Sequence, residues 1–211
     1  MTEIRKVKIM NLGLTPYEDS LELMKELQAK RINDEIIDTL IFLQYPEIVT
    51  VGPRARNDGI KPPSDYPSFP VDRGGGLTWH GPGQLVAYPI FKWNLGDENS
   101  VAQIISKLER WVIGTLLELK INSSIDERMQ GVWVDGKKIS SIGLSFLRWT
   151  SRHGLTINYD TPESRVELLS GCGLDAQTTT SLSRLGYNVT FEQLMETLSS
   201  TMLEFLNRET Q

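Results

Sequence analysis

The sequence predicts an α+β fold, a single domain in which a mixed or antiparallel sheet is flanked by helices. Two observations support this fold class. Apolar runs of strand length, such as DTLIFLQYPEIVTVG at 38–52 and QLVAYPIF at 84–91, alternate along the chain with segments of helical periodicity. The 211 residues can bury one substantial core, and no internal repeat or linker divides them, so we expect one domain over 1–211.

Three helices are predicted from their N-terminal capping signals and apolar faces. Thr15 is the predicted N-cap of the first helix, with Pro16 in the first helical position and Glu18 completing a capping box. Two further Ser/Thr-x-x-Gln capping boxes open predicted helices at 100–120 and 190–205, where apolar residues follow at helical spacing.

The remaining segments read as strands and loops. GVWVDGKKISSIGLSFL has strand character on both sides of Asp135 and Gly136, a dipeptide that favours a tight hairpin turn because both positions tolerate positive φ. GLTINY at 154–159 is a further predicted strand. We expect loops at 53–70 and at 168–176.

Composition and charge exclude several classes of function. Apolar residues make up 39% of the chain and charged residues 23%, which is typical of a soluble protein, and no apolar run is long enough for a membrane span. The net charge of −5 argues against nucleic acid as a partner. One cysteine and two distant histidines leave little to bind a metal, and no cofactor motif is present, so we expect neither. MTEIRKVKIMNLG lacks the pattern of a secretory signal, which predicts a cytoplasmic protein.

The segment DRGGGLTWHGPGQLVAYP, residues 72–89, is the first candidate site. Gly74, Gly75 and Gly76 remove side chains, so that backbone N–H groups could approach a ligand closely, and Arg73 and His80 flank them. A glycine-rich turn with a buried histidine explains the same spacing equally well. The segment is neither a Walker loop nor a dinucleotide fingerprint, because no Gly-Lys-Ser/Thr follows and the glycines are contiguous.

Cys172, between Gly171 and Gly173, is the second candidate. A free cysteine is more often a small buried hydrophobic residue than a nucleophile. The flanking glycines favour a tight loop whose N–H groups could stabilise an oxyanion. A nucleophilic thiol also needs a nearby cation, because its ordinary pKa of about 8.5 must fall.

Lys137, Lys138 and His153 are the candidates for that cation. Adjacent residues on a strand face opposite ways, so only one of the two lysines can face a site, and the pattern of their neighbours leaves open which one it is. A solvated hairpin tip is the commoner explanation for two lysines beside a turn.

These segments, in this order, resemble the lipoyl(octanoyl) transferase family. The resemblance rests on RGGGLTWHGPGQLVAYPI, GVWVDGKKISSIGL, RHGLTIN and GCGL, which together span about Arg73 to Leu174. It implies the α+β catalytic domain that this family shares with biotin and lipoate protein ligases. The chain departs from the family pattern at Gly171, where proline usually precedes the cysteine, and at Gln44-Tyr45-Pro46, which replaces Glu-His-Pro.

The resemblance also implies roles for individual residues. Cys172 would accept the acyl group, and Lys138, directly before Ile139, would lower the pKa of the thiol and move the proton. The implied substrate-binding residues are Arg73, Gly74, Gly75, Gly76, Leu77, Thr78, Trp79, His80, Ser141, Ile142, Gly143, Gly154, Leu155 and Thr156.

The implied activity is transfer of an octanoyl or lipoyl group from acyl carrier protein to a specific lysine of lipoyl domains, without ATP. The acceptors would be the E2 subunits of 2-oxoacid dehydrogenases and the glycine cleavage H protein. Docking of an acidic carrier would use a local basic patch, with Arg54, Arg56, Arg73, Lys137, Arg148 and Arg152 as candidates.

Two alternatives remain open at this point. One is an ATP-dependent lipoate or biotin protein ligase, which His80-Gly81-Pro82-Gly83 and Cys172 count against. The other is a non-catalytic protein that binds lipoyl domains.

Overall fold

A computed structural model describes residues 3–167 and 178–211 and confirms the α+β prediction. The strands are β1 (Arg5–Leu14), β2 (Asp38–Gln44), β3 (Ile48–Val51), β4 (Ser68–Pro70), β5 (Leu77–His80), β6 (Gln84–Ile90), β7 (Val132–Val134), β8 (Lys137–Leu147), β9 (Thr150–Asn158) and β10 (Arg208–Thr210). The helices are α1 (Tyr17–Ile32), α2 (Pro53–Asn57), α3 (Val101–Glu118) and α4 (Phe191–Leu206), with a 3₁₀ turn at Ser183–Leu185. No helix in these two ranges is long and apolar enough to cross a membrane.

The strands form two mixed sheets. The larger has the order β10-β1-β2-β6-β9-β8-β7, in which β1 is parallel to β2 and β10 and the other neighbours are antiparallel. The smaller has the order β4-β3-β5, with β3 parallel to β4 and antiparallel to β5. Since β1 and β10 pair, the two ends of the described chain meet in one sheet.

Helices cover the large sheet on both faces, which explains why its central strands are continuous apolar runs. In β2, Leu40 and Phe42 belong to the core cluster of α3 and α4, whereas Ile41 and Leu43 pack with the cluster of α1. All four side chains are at most 1% exposed. The sheet therefore forms the middle layer of the fold.

The predicted caps of α3 and α4 are confirmed. The Ser100 side chain accepts a hydrogen bond from the Gln103 backbone N–H, and Thr190 and Gln193 form a complete capping box. The hairpin turn is also confirmed, since Asp135 has φ 49° and is followed by a glycine that also has positive φ.

Two local predictions are wrong. Thr15 is not the N-cap of α1, because its hydroxyl donates to the Leu12 carbonyl at 3.1 Å and the helix begins at Tyr17, after Pro16. The segment 53–70 is not entirely loop, since it contains α2 and β4. Both elements are too short to show periodicity. The loop predicted at 168–176 lies outside the described residues.

Candidate active site

A cavity of about 580 Å³ lies where β8, β9 and the glycine-rich run (residues 73–76) meet. This volume is within the range of about 300–1,000 Å³ that is typical of small-molecule sites. The described residues that line it include Lys138 and the whole set named from the resemblance: Arg73, Gly74, Gly75, Gly76, Leu77, Thr78, Trp79, His80, Ser141, Ile142, Gly143, Gly154, Leu155 and Thr156. Segments that are far apart in the sequence thus share one cavity.

The glycines of the run allow it to pack closely on two neighbouring segments. Gly52 donates its N–H to the Gly76 carbonyl at 2.9 Å on the side of the small sheet. On the other side, Gly74 donates to the Leu144 carbonyl at 3.0 Å, and a Cβ added to Gly143 would lie only 2.9 Å from the Gly74 carbonyl oxygen. This contact is possible because β7 pairs with β8 only up to residue 140 and leaves the later edge of β8 to the loop.

Arg73 organises the glycine-rich run from within. Its side chain donates to the hydroxyls of Thr50 at 2.7 Å and Thr78 at 2.8 Å, and to the carbonyls of Gly74 and Gly76 at 3.0 and 3.1 Å. The residue is only 8% exposed. The expectation that Arg73 belongs to an exposed docking patch is therefore wrong, because its guanidinium is occupied in the interior.

The remaining candidates for a basic patch differ in their availability. Arg56 donates to two backbone carbonyls, and the Arg152 guanidinium is paired with Asp72. Arg54, Arg56 and Arg148 are exposed, and Lys137 is half-buried. Any contact with an acidic partner through this set would depend mainly on the exposed members.

His80 is a neutral, buried hydrogen-bonding group. Its Nδ1 lies 2.7 Å from Gln84 Oε1 and its Nε2 lies 3.1 Å from Thr50 Oγ1. Burial, with a smaller contribution from the charge of Arg73, lowers the pKa of His80 to about 3. Because the Gln84 oxygen can only accept, Nδ1 carries the proton and Nε2 accepts from the threonine hydroxyl.

A chain of hydrogen bonds runs on from Gln84 to Lys138. Gln84 Nε2 donates to Asn158 Oδ1 at 2.8 Å, and Asn158 Nδ2 donates to the Thr180 carbonyl at 3.0 Å. Thr180 donates its N–H to the Lys138 carbonyl, and the Lys138 N–H donates to the Thr178 carbonyl, both at 2.9 Å. The sequence did not single out these partners of Lys138, although Gln84 and Asn158 stand within the motifs HGPGQ and RHGLTIN.

Lys138, and not Lys137, is among the described residues that line the cavity. Lys138 is 5% exposed. His153 lies opposite Leu144, six residues along β8 from Lys138, which corresponds to about 20 Å along the strand. His153 is thus not a neighbour of Lys138. It is held by Asp72, whose Oδ1 lies 2.9 Å from its Nε2, and burial lowers its pKa.

Cys172 lies outside the described residues. On either side of the undescribed segment 168–177, Val166 and Thr179 both line the cavity. Val166 packs in the small cluster with Leu77 and Trp79. The described residues just before and just after this segment therefore both contribute to the cavity wall.

The departure from the family pattern at Gln44-Tyr45 supports His80. Tyr45 is fully buried, its ring contacts the His80 ring edge-on at 5.5 Å, and its hydroxyl bonds to Ser20 at 2.6 Å and Tyr88 at 3.1 Å. The Gln44 side chain accepts a hydrogen bond from the Gly83 backbone N–H, in the turn after His80, at 3.0 Å. The replacements therefore pack against His80 and hold the turn that follows it.

The cavity is basic, although the chain as a whole is acidic. Its described lining contains Arg54, Arg73, Arg128 and Lys138 and no aspartate or glutamate. Positive charge of this kind favours an anion such as a thiolate. Within 3–167 and 178–211, no three His, Cys, Asp or Glu side chains form a group that could hold a metal ion.

Solved structures with the same fold are lipoate and biotin protein ligases. Lipoate-protein ligase A bound with ATP has a TM-score of 0.72 at 13% identity, over 98% of this chain and 87% of that one. A biotin protein ligase from Aquifex aeolicus has a TM-score of 0.54 at 12% identity, over 96% of this chain and 69% of that one. Likeness at such low identity shows the fold alone.

Sequence comparison is more specific. The family described as "Lipoyl protein ligase A/B catalytic domain" matches residues 16–203. The octanoyltransferase of Syntrophobacter fumaroxidans is 36% identical over 99% of this chain and 94% of its own length. That of Corynebacterium jeikeium is 35% identical over 95% of this chain and 88% of its own. The chain therefore belongs to the lipoyl protein ligase A/B catalytic-domain family, with octanoyltransferases as its curated relatives.

Proposed function

We propose that this protein transfers an octanoyl or lipoyl group from acyl carrier protein to a lysine of a lipoyl domain, through a thioester on Cys172 and without ATP. The observation that carries the proposal is the position of Lys138. It lines the same cavity as the glycine-rich run, and its backbone bonds to Thr178 and Thr180, which follow Cys172 closely in the sequence. A buried cation beside the returning chain is what a nucleophilic thiol requires.

In the first step, the Cys172 thiolate attacks the carbonyl carbon of the octanoyl thioester. Lys138 as an ammonium favours the thiolate, and backbone N–H groups beside the thiol stabilise the negative charge on the carbonyl oxygen. The new carbon–sulfur bond forms as the bond to the carrier's sulfur breaks. The departing thiolate takes its proton from Lys138, which leaves an acyl-enzyme and a neutral lysine.

In the second step, the acceptor lysine attacks the thioester on Cys172 as a neutral amine. Lys138, now neutral, accepts the proton that the amine loses on forming the amide, and the Cys172 thiolate departs beside the restored ammonium. The energy of the thioester suffices for amide formation, so no nucleotide is consumed. One lysine therefore serves both half-reactions.

The acyl chain would occupy the apolar part of the cavity. Leu77, Ile142, Leu144 and Leu155 contribute aliphatic surface to the lining. Burial of each methylene contributes about 0.8 kcal/mol, so a chain of this length gains enough from such a wall to bind in a fixed position. Gly74–Gly76 add a part of the lining that carries no side chains.

The octanoyltransferase relatives favour this function over the two alternatives. Identities of 34–36% over most of the chain join it to octanoyltransferases, whereas the ligase structures are only 12–14% identical. A protein that merely binds lipoyl domains would also have no use for a buried lysine in a basic cavity. We expect the acceptors to be E2 subunits and the glycine cleavage H protein, and the site of action to be the cytoplasm. We also propose that residues 1–211 form one catalytic domain, since β1 and β10 pair.

Mass spectrometry of the acyl-enzyme tests this function. The protein is incubated with octanoyl-acyl carrier protein in the absence of ATP, quenched with acid and digested. We expect one octanoyl group on the peptide that contains Cys172, and none after Cys172→Ser. An ATP requirement, or an equal adduct on another residue of the Cys172→Ser variant, would contradict the proposal.

The role of Lys138 is tested through the reactivity of the thiol. The rate of iodoacetamide alkylation of Cys172 is measured as a function of pH. Lys138→Ala should move the midpoint upward, toward the ordinary thiol value of about 8.5, because the nearby positive charge is lost. Lys137→Ala, one residue away, is the matched control and should leave the midpoint unchanged. Equal midpoints in all three proteins would remove Lys138 from this role.

A further inference from the structure

We propose that Asn158 and Gln84 are positioning residues that hold Lys138 in place for acyl transfer. They do so through the hydrogen-bond chain that runs from His80 to the backbone of Thr180 and from there to the backbone of Lys138. The proposal rests on the function proposed above and adds to it two residues that take no part in the two half-reactions described there.

The position of Asn158 at the end of a strand is the first support. The register of β9 along β8 ends where Ile157 faces Ser140, and Asn158 is the last residue of β9. Beyond that point, Thr179 takes over the edge of β8 and pairs with Lys138 in parallel. Asn158 therefore lies where the neighbour of β8 changes from β9 to Thr179. This point is close to Lys138, the residue proposed to act in catalysis.

The second support is that the amide groups match their partners. Asn158 Oδ1 accepts from Gln84 Nε2, and Asn158 Nδ2 donates to the Thr180 carbonyl. Gln84 likewise uses both ends, since its oxygen accepts from His80 and its nitrogen also reaches the Trp79 carbonyl at 3.1 Å. An amide supplies both a donor and an acceptor without carrying a charge, which suits these partners.

Because these side chains are buried, the loss of any one of their hydrogen bonds is costly. Asn158 is 4% exposed and Gln84 is 2% exposed, so water cannot readily replace a lost partner. If the Asn158 donor is removed, the Thr180 carbonyl loses its side-chain partner while Thr180 still donates to Lys138. The parallel bridge between Thr179 and Lys138 then loses a contact that fixes its position. The backbone of Lys138 is therefore held less firmly.

The variants Asn158→Asp and Gln84→Glu replace the amide donor and keep the shape of the side chain, but each places a carboxyl group in the interior. The uncharged variants Asn158→Leu and Gln84→Met, which lose the donor without adding charge, are therefore measured beside them and should change the same quantities in the same direction. Each carboxyl variant is compared with Gln28→Glu, a matched control. Gln28 is 3% exposed and donates to the Thr150 carbonyl at 2.7 Å, away from the cavity. The control therefore also costs one buried amide-to-carbonyl hydrogen bond, but not one connected to Lys138.

Two measurements separate positioning from a general loss of stability, both made at a temperature where every variant is folded. The first is the pH midpoint of Cys172 alkylation, and the second is kcat and KM for octanoyl transfer. We expect Asn158→Asp and Gln84→Glu to raise the midpoint and to lower kcat about tenfold with little change in KM, as expected when one buried hydrogen bond near the reacting groups is lost. Gln28→Glu should leave both quantities at wild-type values.

The double variant provides a further check. If the two amides act through one chain, the loss in kcat in Asn158→Asp/Gln84→Glu should be close to that of either single variant, well short of the product of the two losses. Wild-type midpoint and kcat in folded Asn158→Leu would overturn the proposal, because any effect of Asn158→Asp would then come from its added charge. An equal loss in Gln28→Glu would also overturn it. If wild-type protein forms no octanoyl adduct at all, it is the proposed function that fails, and the alkylation midpoints alone then decide whether the amides act on the thiol's surroundings.

Discussion

At Gly143, β8 packs closely on the glycine-rich run, so Gly143→Ala tests how the cavity wall is built. The new Cβ would lie 2.9 Å from the Gly74 carbonyl oxygen and 3.2 Å from Arg73 Cδ. A backbone oxygen cannot move aside alone, and overpacking of this kind costs about 1–3 kcal/mol. Shifting the run also weakens the 3.0 Å hydrogen bond from Gly74 to Leu144. We therefore expect a loss of about 2 kcal/mol in the free energy of unfolding.

Urea and thermal unfolding measure this loss directly. For a protein of this length, about 2 kcal/mol corresponds to a fall in Tm of about 4–8 °C. Octanoyl transfer should also slow by about tenfold, since the wall of the cavity moves by a few tenths of an ångström. The control is Gly96→Ala, because no atom lies within 4 Å of its added Cβ and no change beyond about 0.5 kcal/mol is expected. A wild-type urea midpoint for Gly143→Ala would refute this account of the packing.

Two further predictions concern buried charge. Arg208 is fully buried and donates to Asp38 and Glu98. Arg208→Met leaves Asp38 with Arg31 at 2.6 Å and Glu98 with the longer contact to Lys107 at 3.5 Å, so it should lower the free energy of unfolding by about 3 kcal/mol. A change below about 1 kcal/mol in urea unfolding would contradict this. The second prediction concerns His80, whose pKa of about 3 in the folded protein lies below the unfolded value of about 6.5. Its contribution to the free energy of unfolding is therefore complete above about pH 6.5. As the pH falls from there toward 3, this contribution is lost at about 1.4 kcal/mol per pH unit. His80→Gln should remove that share of the slope in urea unfolding between about pH 6 and 4, and an unchanged slope would be inconsistent with a buried neutral imidazole.

The sequence predicts correctly those helix ends and turns that are determined by residues close together in the chain. The N-cap at Ser100, the capping box at Thr190 and the turn at Asp135 depend on residues within three positions of one another. At Ser100 the predicted box is incomplete, because the Gln103 side chain accepts from the Asn99 N–H. The same rule failed at Thr15 because tertiary contacts decide there, since its backbone N–H donates to the Gln44 carbonyl at the end of β2. β1 has no apolar run and was not predicted, because pairing with β2 and β10 makes it a strand.

The candidate site was predictable as a set of residues but not as an arrangement. The motifs named the lining of one cavity, including Lys138. They could not show that Thr50 supports His80 from 30 residues away, or that the register of β8 and β9 separates His153 from Lys138. Such relations depend on how distant strands pair, and no local pattern records them.

The central claim is that the acyl group travels through Cys172 and needs no nucleotide. The most direct measurement is a single-turnover chase. Enzyme is loaded with octanoyl, freed of carrier protein and mixed with an unmodified lipoyl domain in the absence of ATP, and both proteins are then followed by intact mass. We expect the octanoyl group to leave the enzyme and to appear on one lysine of the lipoyl domain at equal rates. An acyl-enzyme that persists until ATP is added, or that loses its octanoyl group only to water, would contradict the mechanism.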